Sequence, residues 1–242
     1  MVLVLPKRKM KQDSIRIAQA HVDGLLERLV PSLLRQGVSE KEVADKLETA
    51  IRNKGKYDLA FPIIVAFGEG AAEPHHEPRE DRFLQQGDTI LLDCGAKYEG
   101  WCSDVTRMFS LGEPSSDFRE KYEKVLRIHE AALKQFLPEK SAVELDQFVR
   151  KELGSDEKFF IHGLGHGVGK EVHEEPRITS RVQTSETSNS NSVLKEGMVV
   201  TCEPGLYYPD KFGIRIEDIF VVRENGPEML SKTSRELHVL KS

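Results

Sequence analysis

Apolar residues recur at three- and four-residue steps over residues 11–35, at Ile15, Ala18, Val22, Leu25, Leu26, Leu29, Leu33 and Leu34. That period predicts an amphipathic helix, bent or ended at Pro31, which cannot donate to the backbone ladder. Gly37 closes the segment. Ser39 followed by Glu42 then reads as a capping box for a second helix to about Arg52, with Val43, Leu47 and Ile51 as its buried stripe. After Gly55 the period shortens. Residues 59–67 are apolar and partly β-branched, which predicts a strand with Pro62 at an edge or an irregularity. A polar loop over 68–81 holds His75 and His76. Residues 89–94 form a buried strand, and a turn at 97–100 returns the chain through 101–109 as a hairpin.

The same order then repeats. A helix over 118–137 ends at Pro138, and Ser141 with Glu144 repeats the capping box ahead of Leu145, Phe148, Val149 and Leu153. A polar, glycine-rich run follows, then strands over 198–208 and 213–222 and a short closing strand within 228–240. Residues 179–192, rich in Ser, Thr and Asn, read as a flexible surface loop. A helix pair followed by strands thus occurs twice. Strands gathered in antiparallel pairs and helices gathered separately give an α+β class with helices on one side of a sheet.

Composition narrows the function classes. The chain has 242 residues, 38% hydrophobic and 31% charged, enough for a sizeable core in one domain spanning 1–242, with no room for a separate domain before the first helix. The net charge of -5 and the lack of a basic arm argue against nucleic acid and acidic membranes as partners. No apolar run reaches the roughly 20 residues of a membrane span. The N-terminus, apolar first and basic afterwards, reverses the order of a secretory signal. The three cysteines, Cys94, Cys102 and Cys202, show no Cys-x-x-Cys spacing and read as free thiols of a reducing, cytoplasmic compartment.

The chemistry gathers around residues 161–176, IHGLGHGVGKEVHEEP, which set His162, His166 and His173 among four glycines. Those glycines suit a backbone that turns tightly or comes close to a ligand. Alone, the run could be a metal site, an acid–base site or a polar loop. Four acids choose between them: Asp93, Asp104, Glu203 and Glu217 each stand in an apolar strand sequence. An unpaired carboxylate there costs several kcal/mol or is forced to protonate, so it needs hydrogen bonds, an arginine such as Arg107 or Arg215, or a metal. Four carboxylates with the His166 imidazole form a hard, oxygen-rich donor set suited to two divalent ions. Two such ions, about 3.5–4 Å apart, hold a hydroxide between them and support hydrolysis. Strand alternation turns Cys94 and Cys202 away from the neighbouring acids, which makes them core residues.

These residues resemble the pita-bread-fold metallopeptidases, which include methionine aminopeptidases, prolidases and Xaa-Pro aminopeptidases. The resemblance lies in four blocks: LLDCGAKYEGWCSDVTRMF, HGLGHGVGKEVHE, EGMVVTCEPGLYY and GIRIEDIFVV. It implies two pseudo-symmetric halves with antiparallel sheet and helices packed outside. It also implies Asp93, Asp104, His166, Glu203 and Glu217 as ligands of two ions, Mn²⁺ first and Co²⁺ or Zn²⁺ as alternatives, with Asp104 and Glu217 bridging. The run Arg215-Ile216-Glu217-Asp218 is similar to the Xaa-Pro branch. The implied activity is hydrolysis of the N-terminal bond of short Xaa-Pro peptides by a metal-bridging hydroxide. Glu203 would carry the proton, His173 would contact the substrate carbonyl, His162 would line the pocket and Arg215 would support the acids. A further histidine is implied upstream of the first aspartate. His76, seventeen residues before Asp93, is preferred to His75, which directly follows Pro74. The alternatives are an aminopeptidase of other preference, such as methionine removal, and a non-catalytic peptide-binding scaffold on the same fold. The resemblance also leaves room for a homodimer.

Overall fold

The computed structural model describes residues 7–181 and 192–241. The first half opens with helix α1 (Lys7–Arg28), a single turn α2 (Val30–Leu33) carrying Pro31, and α3 (Glu40–Arg52). Ser39 caps α3 by accepting from the Glu42 amide, as its sequence position predicts. Strands β1 (Asp58–Leu59) and β2 (Ile64–Phe67) follow, split around Pro62, then β3 (Thr89–Cys94), β4 (Ala96–Tyr98), β5 (Trp101–Cys102) and β6 (Val105–Leu111). The hairpin expected between 89 and 109 is therefore two nested pairs, β3 with β6 and β4 with β5.

The second half begins with α4 (Ser116–Leu133) and α5 (Ala142–Leu153). α4 stops ahead of the end expected at Pro138, and α5 starts at its Ser141 cap. Strands β7 (Gly165–Gly167), β8 (Glu174–Ile178), β9 (Val199–Cys202), β10 (Gly205–Tyr208), β11 (Phe212–Arg215), β12 (Asp218–Val221), β13 (Glu228–Met229) and β14 (His238–Leu240) complete the chain. Most of the loop expected over 179–192, namely 182–191, lies outside the described residues.

Two main sheets carry the halves, one ordered β14-β6-β3-β2 and one β13-β12-β9-β7-β8. All their pairings are antiparallel except that of β14 with β6. Strands β2, β3 and β6 of the first sheet are buried on both faces, their side chains pointing alternately into two cores. Val65, Phe67, Ile90, Leu92 and Phe109 pack with α1 and α3 in one core. Ile64, Ala66, Leu91 and Met108 face the other way, into the core that α4 and α5 share with β9 to β12. Asp93 follows Leu91 at a spacing of two, so the alternation turns its carboxylate away from the helices and towards the second half. Among the described residues, no helix is long and apolar enough to cross a membrane.

Candidate metal centre

The expected acids do not sit in mid-strand. Only Asp93 lies within a strand; Asp104 falls between β5 and β6, Glu203 between β9 and β10, and Glu217 between β11 and β12. Each of the two strands expected over 198–208 and 213–222 is therefore broken at its acid. The backbone shows why. The Glu203 amide donates to Leu164 O at 2.8 Å and the Glu217 amide to Thr106 O at 3.3 Å, so each acid leaves its own ladder and bonds a neighbouring segment. The chain changes sheets at these points, and the side chain swings into the interior.

His166 lies in β7, where the backbone runs between β8 and β9. A Cβ at Gly165 would stand 2.3 Å from Thr201 O, which explains the glycine by close strand approach; none of the glycines at 163, 165, 167 or 169 has a positive φ. The His166 ring is oriented by its Nδ1, which donates to Gly167 O at 3.1 Å and leaves Nε2 as the inward donor atom. That Nε2 is 3.6 Å from Asp104 Oδ2 and 3.4 Å from Glu203 Oε1. Donor atoms of Asp104, His166 and Glu217 all lie within 4.8 Å of one another.

Arg215 ties in the remaining acid. Its Nη2 donates to Asp93 Oδ2 at 2.6 Å, its Nε to Thr106 Oγ1 at 3.0 Å, and its Nη1 to the Tyr207 hydroxyl at 2.8 Å. Thr106 Oγ1 in turn donates to Glu217 Oε2 at 2.7 Å. Arg107, the other arginine offered as a partner, holds the Glu217 carbonyl and pairs with Asp218 instead of a site carboxylate. Burial pushes Asp104 and Glu217 well above the ordinary carboxylate range, and repulsion from the neighbouring acids pushes them further. Glu203 rises to about 8, by burial and the Asp93 charge against the pull of Arg215.

The donor set fits divalent cations. Asp93 Oδ1 is buried with no hydrogen-bond partner, and one guanidinium faces carboxylates that repel one another. Positive charge at the Asp104–His166–Glu217 cluster would relieve both, and carboxylate oxygens with one imidazole are donors that such ions accept.

The centre opens into a cavity of about 810 Å³. His173 lines it and meets His166 edge to face at 4.4 Å between ring centroids. The surrounding wall and Arg177 lower the His173 imidazole below its usual value. His162 accepts from the Tyr207 hydroxyl at its Nε2, at 2.8 Å, and donates from Nδ1 to Gly163 O at 2.7 Å. Burial and the Arg215 charge lower it to about 3, so at neutral pH it is an uncharged wall. Both His75 and His76 line the cavity but differ in partners. His76 is buried and its Nε2 reaches Glu40 Oε2 at 2.8 Å, whereas His75 is exposed.

Tyr207, Thr106 and Glu40 had no place in the sequence reading. Tyr207 and Thr106 sit within the blocks quoted above, but Thr106 meets Arg215 and Glu217 only across the two halves, and Tyr207 meets Arg215 across the β10–β11 pair. Cys94 and Cys202 are fully buried in the two main cores, as alternation required.

Residues 13–224 match the model of metallopeptidase family M24. The chain belongs to that family. It is 44% identical over 207 residues to an Xaa-Pro dipeptidase of Pyrococcus furiosus, covering 84% of this chain and 57% of that protein. Among solved structures, the X-Pro aminopeptidase of Thermotoga maritima superposes with a TM-score of 0.88 at 37% identity, over 96% of this chain and 64% of that one. The dipeptidase PepE of Mycobacterium ulcerans gives 0.89 at 37% identity, over 99% and 62%. This family member therefore has the α+β pita-bread fold, and spans less than two thirds of the length of these relatives.

Proposed function

We propose that the chain hydrolyses the peptide bond ahead of proline, releasing the N-terminal residue of Xaa-Pro peptides or splitting Xaa-Pro dipeptides. The observation that carries this reading is the buried Asp104–His166–Glu217 cluster at the inner end of a histidine-lined cavity, in a chain 44% identical to an Xaa-Pro dipeptidase. Asp93, Asp104, His166, Glu203 and Glu217 would hold two divalent ions, Mn²⁺ by preference. When bound, such ions supply Lewis acidity and lower the pKa of water.

The chain's own residues do the rest. Glu203, whose Oε1 lies 3.4 Å from His166 Nε2, takes a proton at a carboxylate oxygen from the attacking water and delivers it to the prolyl nitrogen. His173 stands beside His166 at the cavity wall, where its ring donates to the oxygen that gains charge. Arg215 and Tyr207 fix Asp93 and His162, and His162 shapes the wall without exchanging protons. The upstream histidine role passes from His76, whose Nε2 is held by Glu40, to His75.

A panel of Xaa-Pro dipeptides, Xaa-Pro tripeptides and Met-peptides, offered to protein reloaded with Mn²⁺, Co²⁺ or Zn²⁺, tests the proposal. Cleavage confined to bonds ahead of proline is expected. Release of methionine from Met-Ala peptides at equal or greater kcat/KM would contradict it.

A further inference from the structure

The loop between β2 and β3 forms one wall of the cavity through Pro74, His75 and His76. It reaches the centre through Pro74 O, which accepts from Arg215 Nη1 at 3.3 Å, and His75 beside it lines the cavity. A loop so placed needs an anchor, and the anchor is a carboxylate at the start of α3. Glu40, in the first turn of α3, is 0% exposed. Its Oε1 accepts from the Phe67 amide at 2.7 Å, and its Oε2 from the Arg79 amide at 3.0 Å and from His76 Nε2 at 2.8 Å. The helix start returns the favour: the Glu40 amide donates to Arg82 O and the Lys41 amide to Arg79 O, both at 3.1 Å. The His76 ring packs against Gly70, where a Cβ would stand 3.0 Å from Cε1. Its other face partner is the exposed Glu73, 3.7 Å from Nδ1.

We infer that Glu40 and His76 are positioning residues: the buried pair pins the loop to α3 so that His75 and the Pro74 carbonyl are presented to the centre. His76 then acts through its neighbour and not on substrate. The bond from Glu40 raises the His76 imidazole above its ordinary value, and the Glu40 and Glu73 charges act in the same direction against burial. The kinetic consequence rests on the peptidase reading; the structural consequence does not.

Two amide replacements separate the possibilities, because Gln carries its N–H where the imidazole has Nε2 and Asn carries it where the imidazole has Nδ1. His76→Gln keeps the bond to Glu40, and His76→Asn breaks it. In His76→Asn, hydrogen exchange at the Phe67 and Arg79 amides should accelerate about tenfold or more, with kcat on an Xaa-Pro peptide down by a similar factor and KM within about threefold. His76→Gln should restore both to within about threefold of the starting protein. If His76→Gln is as inactive as His76→Asn while both amides stay protected, the ring itself does chemistry and the inference is overturned. Unchanged exchange in His76→Asn overturns it too. Were the protein to cleave no peptide, the proposed activity would fail and the exchange measurement alone would decide the pair. Should His76→Asn not fold, Glu40→Gln takes its place, with faster exchange at Arg79 expected and unchanged exchange contradicting the anchor.

Discussion

Glu203 is the residue on which the proposed chemistry turns, because its carboxyl beside His166 is the one given the proton-carrying role. Glu203→Gln preserves its size and removes its proton exchange, so kcat should fall by about 10²–10⁴-fold, the usual worth of a positioned acid–base group. Bound metal, measured by atomic emission, should stay at half or more of the original content. A variant with most of its kcat would remove Glu203 from that role. Behind the centre, Arg107 is 1% exposed and pairs with the fully buried Asp218 while bonding the Glu217 carbonyl. Arg107→Leu leaves that carboxylate buried and short of a partner, with a cost of about 3–5 kcal/mol. Urea unfolding would show this as a lower midpoint; a midpoint unmoved would mean that Arg235 and His129 suffice for Asp218. At this scale the sequence was informative wherever a charge interrupted an apolar run, which is how Asp93, Asp104, Glu203 and Glu217 stood out. It was uninformative wherever a residue's meaning depends on a distant partner. Glu40 reads as an ordinary first-turn acid of a helix until Phe67, His76 and Arg79 are folded against it.

Elements were legible from their caps and periods. Ser39, Ser115 and Ser141 all start helices by accepting an amide, and two of the three follow from the capping-box spacing alone. The breaks at Glu203 and Glu217 were not legible, because an apolar run reads the same whether it stays in one sheet or crosses to another. α4 contributes a pH-dependent contact of its own. His129 is fully buried, its Nε2 3.2 Å from Cys202 O and 3.3 Å from Asp218 Oδ2. Burial lowers it from 6.5 to about 4, against the pull of Asp218. Between those values the unfolded chain binds a proton that the folded chain does not, so stability must fall as the pH is lowered from 6.5 towards 4. Denaturation midpoints of the metal-free protein at pH 7 and pH 5 would reveal the loss. His129→Gln should shrink it, and an equal loss in that variant would assign the effect to other groups.

For the whole molecule, the centre joins what the topology divides. Asp93 and Asp104 belong to the half built on α1 and α3, and His166, Glu203 and Glu217 to the half built on α4 and α5. A cation bound there holds the halves together, so loading should stabilise the entire fold. At a hundred times its dissociation constant a ligand adds about 2.7 kcal/mol. For a domain of this size that is a rise in Tm of roughly 5–10 °C, readable by calorimetry with and without chelator. No rise would mean that the cluster is not a cation site. The twofold arrangement of helix pairs on sheets was foreshadowed by the repeated order of elements, while the burial of the first sheet on both faces emerges only once β11 packs across it.

The most direct test of the account is a metal titration of chelated protein in the presence of an Xaa-Pro peptide, with bound Mn²⁺ and released N-terminal residue followed together. Two ions bound per chain, cleavage ahead of proline rising as the second ion enters, and loss of both in Asp104→Asn are expected. Saturation with two ions and no cleavage of any Xaa-Pro peptide, or full cleavage by the metal-free chain, would contradict it.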